Sequence, residues 1–258
     1  MPGVPDSPAP GFKDHFSRLS SGYARHRPLY PETLFAFLAT LPAARGTAWD
    51  CGTGSGQAAL ALSSAFAATV ATDASRSQVA RARRGPGILY AAAAAEKAPL
   101  RNGSIDLVTV AQALHWFDFG RFFAEVERVA RPGAALAAWA YGNCRVSPAV
   151  DAVYDRLYRD ILGDYWPPER SHIEDGYRSI PFPFPPIPAP AFVMKTEWDL
   201  EAFLAYLGTW SGVQKYREAR GADPLALIRP AMAEAWEELA RVRTVSWPLI
   251  LHASRVGD

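Results

Sequence analysis

With 258 residues, of which 49% are hydrophobic and 21% charged, the chain has the length and apolar content for one α/β domain with additions. A net charge of +1 excludes a global electrostatic footprint for nucleic acid or an anionic membrane, and two cysteines, Cys51 and Cys144, are too few for a disulfide framework or a metal site. No apolar run reaches the length of a bilayer span and the N-terminus lacks a leader pattern, so a reduced, cytoplasmic setting without a metal is expected.

Met1 to Gly11, with four prolines and two glycines, reads as a mobile tail. Residues 12 to 45 are a short aromatic and basic segment, expected to cover the main domain. It contains Tyr23, Arg27 and Tyr30, and Glu32 to Leu41 reads as its helix, opened by Pro31. From 46 to 141 strands and helices alternate. Thr47 to Cys51 is the first strand, Ala58 to Phe66 the first crossover helix, and Thr69 to Thr72 the second strand, ending at Asp73. Ser75 caps a helix that runs to Arg84, and Ile88 to Tyr90 opens a third strand. Ala91 to Leu100 reads as a loop. Ile105 to Ala111 is an almost unbroken apolar run, as in a central parallel strand buried on both faces; Gln112 to Phe117 follows it. Phe119 to Ala130 is a helix, Arg131-Pro132-Gly133 stops it, and Ala134 to Trp139 is the fifth strand. This alternation predicts a parallel sheet with helices on both faces.

Residues 142 to 190 read as a cap or insertion after the fifth strand. A helix from Pro148 to Leu162 is followed by a proline-dense extended run, Pro181 to Pro190, expected as a linker rather than a lid. Residues 191 to 258 supply the rest of the sheet: a strand at Phe192 to Trp198, helices at Leu200 to Trp210 and Leu225 to Ala240, and a last strand at Thr244 to Ser254. Pro248 within that strand suggests an edge position or a bulge.

The chemistry concentrates at Asp50-Cys51-Gly52-Thr53-Gly54-Ser55-Gly56-Gln57. Alternate glycines permit a sharp turn and leave bare backbone for a ligand at the mouth of a parallel sheet. Asp73, Ala95-Glu96 and Gln112 to Trp116 fall at the ends of the following strands, where ligands bind in open α/β sheets. Asp73 lies about twenty residues beyond the turn, where an acidic side chain can accept from both ribose hydroxyls. Nicotinamide dinucleotides and S-adenosylmethionine both meet that condition. A dinucleotide site wants G-x-G-x-x-G facing a pyrophosphate. Here Gln57 stands where the third glycine would be, and the Asp50 carboxylate disfavours a pyrophosphate but suits an α-ammonium. S-adenosylmethionine is the preferred reading. A nicotinamide-dependent oxidoreductase and a non-catalytic S-adenosylmethionine-binding module remain as alternatives.

The D-C-G-T-G-S-G turn, Asp73, the A-E-K-A-P-L stretch from Ala95 and the R-P-G at Arg131 resemble class I S-adenosylmethionine-dependent methyltransferases over Thr47 to Tyr141. Tyr23-Ala-x-x-Arg27-Pro-x-Tyr30-Pro, His115-Trp116-Phe117 and Trp210-Ser-x-Val-Gln214-Lys-Tyr216 resemble the trans-aconitate methyltransferase-like (methyltransferase type 11) branch. That branch includes enzymes that esterify small carboxylic acids. The resemblance implies a Rossmann-like, seven-stranded sheet of order 3-2-1-4-5-7-6 with the last strand antiparallel. It implies that Asp73, with Ala74 beside it, holds the ribose. Asp50, Gly52, Thr53 and Gly54 would line the methionyl part, Ala95 and Glu96 would border the adenine, and Gln112 would lie near the sulfonium.

Trp116, Tyr23 and Tyr30 offer aromatic faces that can attract a sulfonium. His115 is the candidate base for a phenol or hydroxyl acceptor, on the expectation of an ordinary imidazole pKa. A carboxylate acceptor needs no base, only cations such as Arg27 or Arg145, with Tyr158 beside them. The expected reaction is methyl transfer to a small-molecule acceptor, a carboxylic acid being the class the resemblance favours, with S-adenosylhomocysteine as product. Gln112-Ala113-Leu114-His115 differs from the N-P-P-Y type of turn used on nucleobase or glutamine amino groups, so neither nucleic acid nor membrane is expected as partner.

Overall fold

A computed structural model describes residues 28–257. Tyr23 and Arg27, together with the expected tail, lie outside the described residues. The strands are β1 (Thr47–Cys51), β2 (Ala68–Asp73), β3 (Ile88–Ala92), β4 (Ile105–Ala111), β5 (Ala130–Tyr141), β6 (Pro186–Ile187), β7 (Val193–Trp198) and β8 (Arg243–Val256). β3-β2-β1-β4-β5 are parallel neighbours in that order. β8 runs antiparallel to β5, from Ala134 opposite Val256 to Tyr141 opposite Leu249. β7 and β6 pair successive stretches of the other side of β8, so together they take the outermost position. The expected order holds, with β8 as the seventh strand, β7 as the sixth and the short β6 as an addition.

Pro248 therefore belongs to an interior strand, not an edge. It is tolerated because the β5 ladder stops one residue away, at Leu249. Leu249 N donates to Phe192 O on the β7 side. Side alternation then turns the Pro248 nitrogen toward the opposite side, where the chain has already left the ladder. The fifth strand also starts earlier than expected. Arg131-Pro132-Gly133 lie inside β5, which absorbs them through a register shift between Ile105 and Leu107.

Alternation along the strands builds two cores. Trp49, Val108, Val110 and Leu136 face α4 (Phe119–Val129), which buries Phe122, Val126 and Val129 against them. Ala48, Leu107 and Trp139 face the other way, toward α1 (Glu32–Leu38) and α2 (Gln57–Leu62). α3 (Arg76–Arg81) starts where expected: Ser75 Oγ accepts from Gln78 N at 3.3 Å.

Beyond β5 come α5 (Pro148–Arg156), a π-helical turn at Leu157–Ile161, and the short α6 (Ser171–Glu174). α7 (Leu200–Gly208), α8 (Ser211–Arg220) and α9 (Pro224–Trp236) follow β7. α5, α7 and α9 pack around an aromatic core containing Tyr154, Phe203, Tyr206, Trp236 and Trp247. The proline run is neither linker nor lid. Phe182 and Phe184 pack on Phe123, Phe182 stacks on His252 at 4.7 Å, and Arg255 N donates to Pro185 O, so the run is a strap along the sheet edge. Among the described residues no helix is long and apolar enough to cross a membrane, and no group of His, Cys, Asp and Glu side chains could hold a metal ion.

Candidate active site

The carboxyl ends of β1, β2 and β4 meet at the glycine turn. Gly52, Gly54 and Gly56 all have positive φ, at 69°, 52° and 76°. The outer two are also required by packing: a Cβ would come within 2.6 Å of the Ala113 Cβ at Gly52 and within 2.5 Å of the Tyr90 hydroxyl at Gly56. Gly54 differs. A Cβ there would meet nothing within 4 Å, so its backbone borders open space.

Asp73 is tied to that open turn. Its Oδ2 accepts from Gly54 N at 2.9 Å and its Oδ1 from Ser75 N at 2.8 Å. A carboxylate has about four acceptor positions, which suits it to receive several donors at once. Asp50 is fully buried. Its Oδ2 accepts from Thr53 Oγ1 at 2.6 Å and its Oδ1 from Thr109 Oγ1 at 2.9 Å, and burial pushes its pKa up to about 6. Asp50 thus braces the turn against β4, a role its position in the sequence does not reveal.

Gln112, directly after β4, has φ +55°, an uncommon value for a residue with a side chain. Gln112 Nε2 donates to Tyr141 O at 3.0 Å, and its buried Oε1 has no hydrogen-bond partner among the described residues. Ala95 is buried in the core beneath its loop. Glu96 Oε1 accepts from Asp118 N at 3.0 Å, which joins the loop after β3 to the start of α4. That loop is further pinned by Glu125 and Arg128. Glu125 accepts from Ala98 N at 2.7 Å, and Arg128 bonds Glu125, Leu100 O and the Asn102 side chain.

Leu114–Trp116 form a 3₁₀ turn, and the Trp116 ring lies 4.9 Å from that of His115. His115 is buried, and burial, with Arg170 and His172 nearby, takes its pKa down to about 3. The expectation of an ordinary imidazole pKa is therefore corrected: the ring is neutral across the physiological range. Its Nδ1 lies 3.3 Å from the Tyr177 hydroxyl. Tyr30 is a packing residue, edge-on to Trp139 at 5.5 Å and Tyr141 at 6.4 Å.

A cavity of 830 Å³ opens at the end of β5. Gly142 and Asn143 border it next to Tyr141, the residue that Gln112 grips, and Pro248 and Ile250 of β8 form part of the wall. Arg145, Tyr158, Arg159 and Arg170 line it from the segment after β5. The Pro168–Arg170 turn packs against the Leu114–Trp116 turn, which brings the cavity up to the strand ends. Arg170 lies over Trp166 at 4.3 Å and over Tyr158 at 5.0 Å, and its Nε bonds the Tyr158 hydroxyl at 2.5 Å. Tyr158 also donates to Glu174, and burial pushes its pKa up to about 12.

These features fit a methionyl nucleoside. Gly54 exposes backbone, Asp73 offers acceptors for ribose hydroxyls, and Gln112 presents an unpaired oxygen at the end of β4. A family model described as a methyltransferase domain matches residues 49–138. A Dictyostelium discoideum protein named "Putative methyltransferase" is 31% identical over 251 residues, covering 95% of both chains. A Mycobacterium tuberculosis protein named "Uncharacterized methyltransferase" is 37% identical over 122 residues, 47% of this chain and 49% of its own length. A solved structure from Anaeromyxobacter dehalogenans, titled as that of a "Putative Type II Methyltransferase", shares 50% identity and superposes with a TM-score of 0.85 over 90% of this chain and 99% of its own. The chain belongs to the S-adenosylmethionine-dependent methyltransferase family, as an enzyme of the class I, Rossmann-like fold whose methyl donor is S-adenosylmethionine.

Thr109, Tyr177, Arg170 and the Glu125–Arg128 pair were not anticipated from the sequence. Thr109 sits in an apolar strand, and only the pairing of β1 with β4 sets it beside Asp50. Tyr177 follows Gly176, and both have positive φ, at 62° and 71°, a pattern that the Gly-Tyr pair alone does not announce.

Proposed function

We propose that the chain methylates a small-molecule acceptor, and that this acceptor is a carboxylic acid esterified on oxygen. Asp73 and Ala74 hold the ribose of the donor. Gly52, Thr53 and Gly54 carry its methionyl part, with Asp50 acting through the turn it braces. Ala95 and Glu96 border the adenine, Gln112 lies by the sulfonium, and Tyr23 and Trp116 supply ring faces. Arg27 pairs with a carboxylate of donor or acceptor.

When bound, S-adenosylmethionine supplies a methyl group on a cationic sulfur; transfer to a carboxylate forms a C–O bond as the C–S bond breaks, cancels both charges, moves no proton and leaves S-adenosylhomocysteine. The chain's own residues align the acceptor and exclude water. The observation that carries the acid reading is the cavity bearing Arg145, Arg159 and Arg170 beside the Gln112–Trp116 turn. The neutral His115 adds support. With a pKa near 3 it is a poor base for a phenol or an amine at neutral pH, whereas a carboxylate requires none. The motifs shared with the trans-aconitate methyltransferase-like branch point the same way. The two buried free thiols, Cys51 and Cys144, suit a cytoplasmic setting, and the near-zero net charge weighs against nucleic acid or membrane as partner.

The test is incubation of the purified protein with methyl-labelled S-adenosylmethionine and a panel of acids, phenols and amines. Label in base-labile methyl esters supports the reading. Label confined to phenols or amines ends it.

A further inference from the structure

The cavity at the end of β5 is asymmetric. Three guanidinium groups, Arg145, Arg159 and Arg170, and one carboxylate, Glu174, line it. Arg170 is the inner cation, its side chain 19% exposed, while Arg145 and Arg159, 55% and 70% exposed at the mouth, share one carboxylate, Asp155, at 4.0 and 3.9 Å, so the mouth keeps a net positive charge. The inner guanidinium is already oriented. It is held by stacking on Trp166 and Tyr158 and by the bond from Nε to the Tyr158 hydroxyl, which leaves its terminal N–H groups for a planar anion. Its only ion-pair partner among the described residues, Glu174, lies at 4.0 Å, beyond hydrogen-bond distance. The Arg170 turn also packs against that of His115 and Trp116, which sets this end of the cavity beside the turn that follows β4.

Most of the remaining wall is apolar, with Asn143 and Ser171 as its uncharged polar members. Trp166, Pro167, Pro168, Ile173, Pro248 and Ile250 face the same space. A volume of 830 Å³ lies in the upper part of the range of about 300–1,000 Å³ found for sites that enclose drug-sized ligands. A short polycarboxylic acid would leave most of that wall wetted, at the cost of the apolar contact the wall is built to make.

We propose that the cavity takes an organic anion with an extended apolar body, aromatic or long-chain, whose charged oxygen lies at Arg170 and whose body runs along the apolar wall. This rests on the acid-methylation reading and narrows it from carboxylic acids in general to amphipathic ones. The cationic mouth attracts the anion, the Arg170 end aims its oxygen toward the donor side, and the wall selects for length.

The experiment is a binding titration, by calorimetry, of the full chain carrying S-adenosylhomocysteine. The probes are butyrate, citrate, decanoate, 2-naphthoate and decanol, each then offered with labelled S-adenosylmethionine. Decanoate or naphthoate should bind about tenfold or more tighter than butyrate and citrate, and should be esterified. Ser171→Trp, which puts a bulky ring at an exposed position of the cavity lining, should weaken decanoate about tenfold while butyrate changes little, with an unaltered melting temperature as the control for folding. Butyrate or citrate binding as tightly as decanoate, or no acid binding at all, overturns the inference. Methylation of short acids only would do so while leaving acid methylation intact. Decanol binding as well as decanoate, with no acid methylated, would overturn the broader reading as well.

Discussion

The Tyr177 hydroxyl lies 3.3 Å from His115 Nδ1, and both side chains are buried. Burial holds the phenol well above its usual pKa, so it keeps its proton. The hydroxyl has no other partner among the described residues. If Nδ1 carried a proton, the phenol would accept it and leave its own hydrogen buried and unbonded. Tyr177 therefore donates, and the imidazole carries its proton on Nε2. The positive φ of Tyr177, at 62°, costs on the order of 1–3 kcal/mol, a strain that burial of this ring offsets. Nitrogen NMR should show the Nε2–H tautomer of His115, and Tyr177→Phe should populate the other form while lowering stability by about 1–3 kcal/mol. A dominant Nδ1–H form in the unaltered protein would contradict this arrangement.

Two buried groups give opposite pH signatures. His115 titrates near 6.5 when unfolded and near 3 when folded. Between those values the unfolded chain binds the extra proton, so this contribution is intact above 6.5 and lost as pH falls toward 3. Asp50 is raised from 3.8 to about 6 by burial, so its contribution is full below 3.8 and lost as pH rises through 6. Each slope can reach about 1.4 kcal/mol per pH unit, and from about pH 4 to 6 they oppose. Relative to the parent, His115→Gln should lose stability as pH rises through that window and Asp50→Asn should gain it. Denaturant melts at a series of pH values would expose an error if either variant ran parallel to the parent.

Glu125 and Arg128 hold the loop that carries Ala95 and Glu96, through Ala98 N and Leu100 O. Glu125→Ala leaves the buried Ala98 N–H without its partner and should cost about 1–3 kcal/mol, a fall of roughly 2–8 °C in melting temperature. Affinity for S-adenosylmethionine should weaken with it, because the loop is no longer fixed. An unchanged melt would show that the loop is held by something else.

Asp73 meets the glycine turn as well as any ribose placed there. Asp73→Ala should weaken S-adenosylmethionine by on the order of 1.5–3 kcal/mol through lost charge-assisted hydrogen bonds, read by calorimetry. Release of Gly54 N and Ser75 N should loosen the turn in the same variant. An unaltered dissociation constant would remove Asp73 from the site.

What the sequence made legible was local. Glycines at alternate positions, Ser75 as a cap and the apolar run of β4 each act through near neighbours, and each stands where expected. The misreadings came from contacts distant in sequence. The helix does stop before Arg131-Pro132-Gly133, but β5 begins at Ala130, ahead of the expected Ala134, and takes the triplet into an irregular stretch of the ladder. The prolines from 181 to 190 read as a linker, but Phe182 and Phe184 between them find Phe123 and His252. α8 leaves almost no trace in the sequence, because its run, Ser211 to Arg220, buries only Gly212 and Val213 and so shows almost no apolar stripe. At the site, Asp73 and Gln112 were readable as strand ends. The neutrality of His115 was not, because it follows from burial and from Arg170, far along the chain.

The most direct measurement of the central claim is steady-state turnover of the purified chain with methyl-labelled S-adenosylmethionine and decanoate, compared with Arg170→Gln. The account predicts a base-labile labelled ester and stoichiometric S-adenosylhomocysteine, with KM for the acid raised about tenfold or more in the variant and KM for the donor little changed. Methyl transfer to neutral phenols or amines alone, indifferent to Arg170, would contradict it.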